Sequence, residues 1–553
     1  MRRLLPALIV IVVAVSLLAQ TSPPSGKAGL PDSSCVVSGR VIAAADVSPL
    51  KSARLTMVPE QGGRKPQLYT ATTDSDGRFL LKDVPPGRYR FAASHPRFVT
   101  QSYKAMGTDD GALLWLRPGA QVNDVLFRMI VSGVITGRLT NEDGEPMVRV
   151  LVNALQEPSE EALEDEGALP SGKRKLQTVS AALTDDRGQY RIFGLNPGEY
   201  YLKAVDSSEL NLNTLEHEGS WIRDVGSEYA PAYYPGVAQA SQAEMISVKA
   251  GDEVQADFFI QRTRTATIAG HVIGKDGPGT NAWVSLILVG GEDSWTQREA
   301  ATDEKGRFEL KGVSPGSYLI VAFQSGEDNA YGARGQQKLE VNGENIDGVS
   351  IFVGGGITLQ GRVTVDGASP LKLDRIGVGL IRVDDEEQFS VQSGVKKDGT
   401  FEIKSVTDGN YRVQVSGLDT NWCVKSVRFG GDDIVEKGLQ MEKGGSGGRI
   451  EILVSSKTAQ LDGSVSDGDT PIVGARVHLA PETETPYNRF LAHSIRTDQT
   501  GHFSFIGLAP GKYRVLGRYG SSAEGSALRS EPQIVTLSEQ DHKTMQLAVG
   551  KAQ

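Results

Sequence analysis

Seven histidines are the first residues to test for metal or acid–base chemistry: His95, His217, His271, His478, His493, His502 and His542. Zinc held from a single helical turn needs ligands at a set spacing, completed by a third residue from elsewhere in the chain. None of the seven is followed by glutamate three residues later, and His217-Glu218 has no histidine four residues on. The zinc-peptidase ligand patterns are therefore absent. Gly-x-Ser-x-Gly occurs twice, around Ser314 and around Ser446. A nucleophile elbow needs a strand before its serine and a helix after it. Ser314 instead falls in a repeated turn and Ser446 in a glycine-rich break, so neither has that setting and no catalytic residue is assigned.

Asp74-Ser-Asp76-Gly77 offers oxygen ligands of the calcium-loop kind but lacks the bidentate glutamate at its far end. Weak calcium binding at Asp74 and Asp76 stands beside plain turn capping. Arg187, Lys305 and Thr500 at the positions matching Asp76 favour capping, and Asp432-Asp433 is weighed in the same way. Trp221, Tyr229, Tyr233, Tyr234 and Trp295 lie in or beside loops. Such rings stack on sugar faces, anchor a protein partner, or pack a loop against its core. No cofactor is expected.

The elements that must position these residues recur. Thr497-Asp-Gln-Thr-Gly501-His-Phe503-Ser-Phe505-Ile-Gly-Leu508-Ala-Pro510-Gly511-Lys-Tyr513 reads as turn, strand, turn, strand. Aspartate caps the first turn, and glycine supplies positive φ. The pattern returns from Thr73-Asp74 to Tyr89, Thr184-Asp185 to Tyr200, Thr302-Asp303 to Tyr318 and, in divergent form, Lys397-Asp398 to Tyr411. In each copy the turn glycine (Gly77, Gly188, Gly306, Gly399, Gly501) precedes the tyrosine (Tyr89, Tyr200, Tyr318, Tyr411, Tyr513) by twelve residues. A leading Gly-x-Val or Gly-x-Leu begins at Gly39, Gly137, Gly270, Gly361 and Gly463, 38, 51, 36, 38 and 38 residues before the turn glycine. Five copies at domain-sized intervals predict a tandem array, its tyrosines packed in the cores.

Bulk properties agree. The chain has 553 residues, 64 glycines and 25 prolines for turns, and 39% apolar residues to fill several small cores. A formal charge of −10 argues against a nucleic-acid partner. Arg2 and Arg3 precede an apolar run over 4–19, the form of a signal peptide cleaved near Ala19, with a retained membrane anchor as the alternative. No later segment has membrane-spanning length. Cys35 and Cys423 make no disulfide framework. Two inert, half-buried thiols are expected, and a bridge between them would fold the array back on itself.

The domains are expected at 35–131, 132–262, 263–354, 355–456 and 457–553, after a leader over 1–19 and a flexible spacer over 20–34. The first reads as strands over 36–42, 53–58, 68–72, 78–81, 88–92, 113–116 and 125–130. The second carries loop insertions over 157–175 and 206–237. The third holds a near-continuous apolar strand over 283–289, and the fourth departs most from the repeat. Each unit is thus an all-β sandwich of about seven short strands. Parallel pairing is disfavoured because the connections rarely have room for crossover helices.

The turn-strand-turn pattern with its leading Gly-Arg-Val strand resembles the carboxypeptidase regulatory-like domain, a transthyretin-like, prealbumin-like sandwich. It is also similar to the related collagen-adhesin B-type repeats. The resemblance runs over almost everything after residue 35 and is weakest in the fourth unit. It implies a secreted or cell-surface accessory module, with carbohydrate-binding relatives. The expected function is a non-enzymatic, extracytoplasmic structural or adhesion-like protein, periplasmic, secreted or at the cell surface, and partnered by extracellular or envelope proteins. Laid out straight, five units of roughly 30–40 Å would reach well over 100 Å. The alternatives are a polysaccharide-binding protein using the aromatics of the second and third units, and a hydrolase with an inter-domain site.

Overall fold

The computed structural model describes residues 34–60, 67–105, 111–158, 176–206, 229–274, 277–289, 296–324, 334–354, 356–367, 371–383, 390–442, 448–520 and 528–551. They form an all-β chain of tandem sandwiches whose only helices, among the described residues, are three-residue 3₁₀ turns. Five hydrophobic clusters follow one another, drawn from 35–129, 135–260, 266–353, 359–454 and 459–549. We refer to them as the first to fifth units.

Period-two alternation builds each core. Arg78–Val84 alternates exposed and buried residues, sending Phe79 and Leu81 inward, and Gly87–His95 does the same with Tyr89, Phe91 and Ala93. In the first unit Cys35–Ala43 lies between Arg78–Val84 and Gln121–Met129. The second sheet orders Tyr69–Thr72, Arg54–Pro59, Gly87–His95 and Phe98–Ser102, with Leu114–Leu116 also on Gly87–His95. Phe91 from this sheet meets Phe127 from the other edge to face at 5.0 Å. Phe98–Ser102 was not foreseen, because Pro96 and Arg97 look like the end of a strand when they are the turn of a hairpin.

The expectation against parallel pairing is corrected. In all five units the first strand runs parallel to the last, as in Val36↔Gln121 through Ala43↔Met129, and likewise in the others. No crossover helix is needed, since the whole second sheet is the connection between the two strands. In the third unit Ala282–Leu288 is paired on both edges, as its apolar sequence predicts. Its outward Ile287 joins Leu319 and Val321 in a small outer cluster. In the fourth, Cys423–Phe429 adds to the edge of Arg449–Ser455. In the fifth, His542–Lys551 pairs with strands of both sheets and joins them into one.

Candidate functional site

The repeated residues are consumed by their own turns. Oδ1 of Asp74 accepts from the backbone N–H groups of Asp76 and Arg78 at 2.9 and 2.8 Å. Asp185, Asp303 and Asp498 do the same two and four residues on. The turn glycines all have φ between +70° and +83°, a region that glycine enters without steric penalty. Each recurring tyrosine is buried, and its hydroxyl donates to the carbonyl four residues earlier. These bonds run from Tyr89 to Pro85, Tyr200 to Asn196, Tyr318 to Ser314, Tyr411 to Thr407 and Tyr513 to Ala509, over 2.6–3.2 Å. A backbone oxygen accepts in every copy, which is why the acceptor residue varies, and Tyr411 also lies 3.1 Å from the Thr407 hydroxyl. Burial pushes the Tyr89 and Tyr200 hydroxyls up to about 12.

Two further roles escaped sequence reasoning. The threonine before each capping aspartate is buried and staples distant backbone. Thr302 Oγ1 donates to Gly279 O at 2.8 Å and accepts from Ala282 N at 2.9 Å, and Thr73 and Thr497 form the same pair of bonds. In the fourth unit the turn runs from Lys396 to Gly399, so Asp398 matches Asp76 and not Asp74, which corrects the sequence alignment. Buried Val395 replaces the threonine there. In the first and third units the leading glycine, Gly39 or Gly270, marks a bulge against the last strand. A Cβ on Gly39, Gly137 or Gly270 would collide with the carbonyl oxygen of Val125, Ala256 or Val349.

The other sequence candidates stay apart. Asp74 is held by its turn, Asp76 is exposed, and Asp433 caps Val435 N at 2.9 Å. Among the described residues no group of three or more His, Cys, Asp or Glu could hold a metal. Tyr233 is 5% exposed, with Lys203 over its ring, and Tyr234 packs edge-on against Phe258. Tyr229 hydrogen-bonds Arg262 through its hydroxyl. The described rings thus turn toward the protein. Trp221, Trp295, Ser446 and the leader lie outside the described residues. Ser314 sits between two strands, without a helix. Cys35 and Cys423 are both buried and neither is in a disulfide, so the alternative of a bridge between them is not realised. Burial pushes the Cys423 thiol up to about 11.

What the structure does bring together is the two ends of the chain. Trp115 N–H donates to Gln499 Oε1 at 2.9 Å, and Gln499 Nε2 donates to Trp115 O at 2.8 Å. Beside them Leu113 forms a parallel bridge with Asp498, and Val473 packs against the first unit's core. Asp498 is only 1% exposed, whereas its equivalents Asp74, Asp185 and Asp303 are exposed. Its Oδ2 is buried with no hydrogen-bond partner among the described residues. A cavity of about 60 Å³ remains in the seam, lined by Glu60, Arg90, Arg476 and Arg496 among others. Burial raises the Glu60 carboxyl despite the opposing charges of Arg88 and Arg90. The fifth unit thus rests on the first, and the chain is not laid out straight.

Residues 36–115 match the carboxypeptidase regulatory-like domain family. No curated protein matches the chain. Among solved structures it is similar to the Bacillus anthracis TIE protein, at 10% identity over 93% of this chain and 74% of that one, with a TM-score of 0.16. It is also similar to GBS52, the minor pilin of Streptococcus agalactiae, at 14% identity over 42% and 96% with a TM-score of 0.22. A third is BcpA, the major pilin subunit of Bacillus cereus, at 10% over 75% and 99% with a TM-score of 0.15.

The first unit contributes Trp115, the last residue of that match, to the seam, its ring beneath Arg117 at 4.6 Å and near Arg88 at 5.7 Å. Away from that unit the fourth and fifth interlock. Asp366 accepts from Lys425 at 2.8 Å and pairs with Lys457 at 2.7 Å, and both lysines also meet Glu539. These hydrogen bonds hold the Asp366 carboxyl at about 2. A Cβ on Gly507 would strike Thr420 O, and one on Gly438 the Tyr487 ring. Between the third and fourth units, by contrast, lies a cleft of about 790 Å³ bordered by Arg334, Phe352, Arg382 and Glu442.

Proposed function

We propose that this protein is a non-enzymatic, extracytoplasmic structural element of five sandwiches, bounded as 35–131, 132–262, 263–354, 355–456 and 457–553, that works through protein contacts. One observation carries the reading: the aspartates, threonines, glycines and tyrosines that recur at fixed spacing are spent on turns, staples and cores. Their chemistry is architectural. The apolar leader-like run over 4–19 supports export, and weak calcium binding at Asp74 and Asp76 remains subordinate to turn capping. A polysaccharide role would rest on Trp221 and Trp295, since Tyr233 and Tyr234 face inward.

The test is to express the chain with its leader, fractionate the cells, and determine the mature N-terminus by mass spectrometry. Affinity electrophoresis of the purified protein through gels containing polysaccharides, with Trp221→Ala as control, runs alongside. The reading predicts cleavage near Ala19, an extracytoplasmic fraction, and no retardation. A cytoplasmic chain, or retardation abolished by Trp221→Ala, would overturn it.

A further inference from the structure

The contact between Trp115 and Gln499 joins two unlike surfaces at opposite ends of one chain. Such a pair is heterologous, and it can be satisfied within a molecule or between molecules. We propose that it is an exchangeable clasp: the first unit of one copy docks on the fifth unit of a second copy, giving a two-chain closed dimer with both clasps made. This rests on the structural reading above and names its partner as a second copy of the same chain.

Three observations carry it. Among the described residues the clasp is polar at its centre, where two hydrogen bonds and one bridge lie beside the apolar contact of Val473. It also buries Asp498 Oδ2 without a partner among the described residues, a desolvation cost that the open chain avoids. Opening therefore requires little free energy. The chain has a place to open, because the third and fourth units meet across a wide cleft whereas the fourth and fifth are locked by the Asp366–Lys425–Lys457–Glu539 group. Once open, Leu114–Leu116 bears the Trp115 N–H and C=O unpaired, an edge that seeks a complement. Among the described residues the fifth unit's Val473 and Gln499 face supplies that complement. Tethering gives the internal clasp an effective concentration on the order of 1 mM, so the closed monomer dominates when dilute and exchange grows as protein approaches that concentration.

The geometry supplies the test. A Cβ built on Gly474 falls 3.7 Å from Ala112 Cβ, within the range that a disulfide spans. The full chain carrying Ala112→Cys and Gly474→Cys is oxidised at about 1 µM and at about 1 mM, concentrations that bracket the tether, and run on non-reducing gels. Because Gly474 has φ of +77°, a second arm avoids that substitution. Two differently tagged wild-type chains are mixed and co-purified at the high concentration without dilution, with Gln499→Ala as control. Cross-linked monomer at low concentration, covalent dimer at high concentration, and co-purification abolished by Gln499→Ala are expected. Monomer at every concentration would overturn the exchange and leave the architectural role of a closed chain standing. Dimers indifferent to Gln499→Ala would overturn it by assigning the interface to another surface.

Discussion

The peptide group of Trp115 and the side-chain amide of Gln499, 384 residues apart in sequence, hold each other by two reciprocal hydrogen bonds of 2.9 and 2.8 Å. A glutamine amide has the donor and acceptor needed to mimic one more residue of a β ladder. Gln499→Ala should leave the turn at Gly501 intact, because Asp498 forms that cap. Loss of the two bonds should weaken the seam by about 1–3 kcal/mol. Hydrogen exchange at the Trp115 amide should accelerate accordingly, and an unchanged rate would show that Gln499 does not protect it.

The tyrosine bonds make a graded prediction. Tyr318→Phe leaves the Ser314 carbonyl buried without its donor and should cost the third unit about 1–2 kcal/mol. Tyr411→Phe should cost less, since its bond to Thr407 O is longer at 3.2 Å and the Thr407 hydroxyl lies close by. Calorimetry of the full chain should show the third unit's transition falling further than the fourth's.

Gly270→Ala should be among the most damaging single changes. A methyl there meets the Val349 carbonyl across the parallel pair, so the ladder must spread. A cost of about 3 kcal/mol is expected. Protection should be lost in Ala266–Gly274 and Ile346–Phe352 together, and normal protection in both would show that the bulge tolerates a side chain.

The ion group between the fourth and fifth units sets an acid limit. Asp366 is depressed to about 2 from an ordinary 3.8, chiefly by its hydrogen bonds to Lys425 and Lys457. Its contribution is therefore fully present above about pH 4 and is lost as pH falls through about 2. Thermal scans of wild type and Asp366→Asn should differ at pH 6 and converge near pH 2. A constant difference would deny the linkage.

Cys423 should resist alkylation in the native chain. Burial holds its thiol at about 11, so almost no thiolate exists at neutral pH. Iodoacetamide should modify it only after denaturation, and the same mass should be found with and without reductant. Rapid native labelling would place the thiol at the surface.

These outcomes follow the division between what the sequence reveals and what it hides. Turn caps and positive-φ glycines are local, so Asp303 and Gly306 are readable three residues apart. The Thr302 staple was missed because its partners lie 20 and 23 residues away. The parallel pairing was missed for the same reason on a larger scale. Gln499 carried no signal at all, since Ser75, Asp186, Glu304 and Lys397 occupy its position in the other copies. A turn-tip side chain reports nothing about the surface it will reach. Asp498 reads as one more cap, and only its burial beneath the first unit sets it apart.

Small-angle X-ray scattering of the mature chain at low concentration tests the account most directly. Contact between the first and fifth units predicts a compact particle, with a maximum dimension well below the roughly 150 Å of five sandwiches end to end, that lengthens in Gln499→Ala. A wild-type rod of that full length, unchanged by Gln499→Ala, would contradict it.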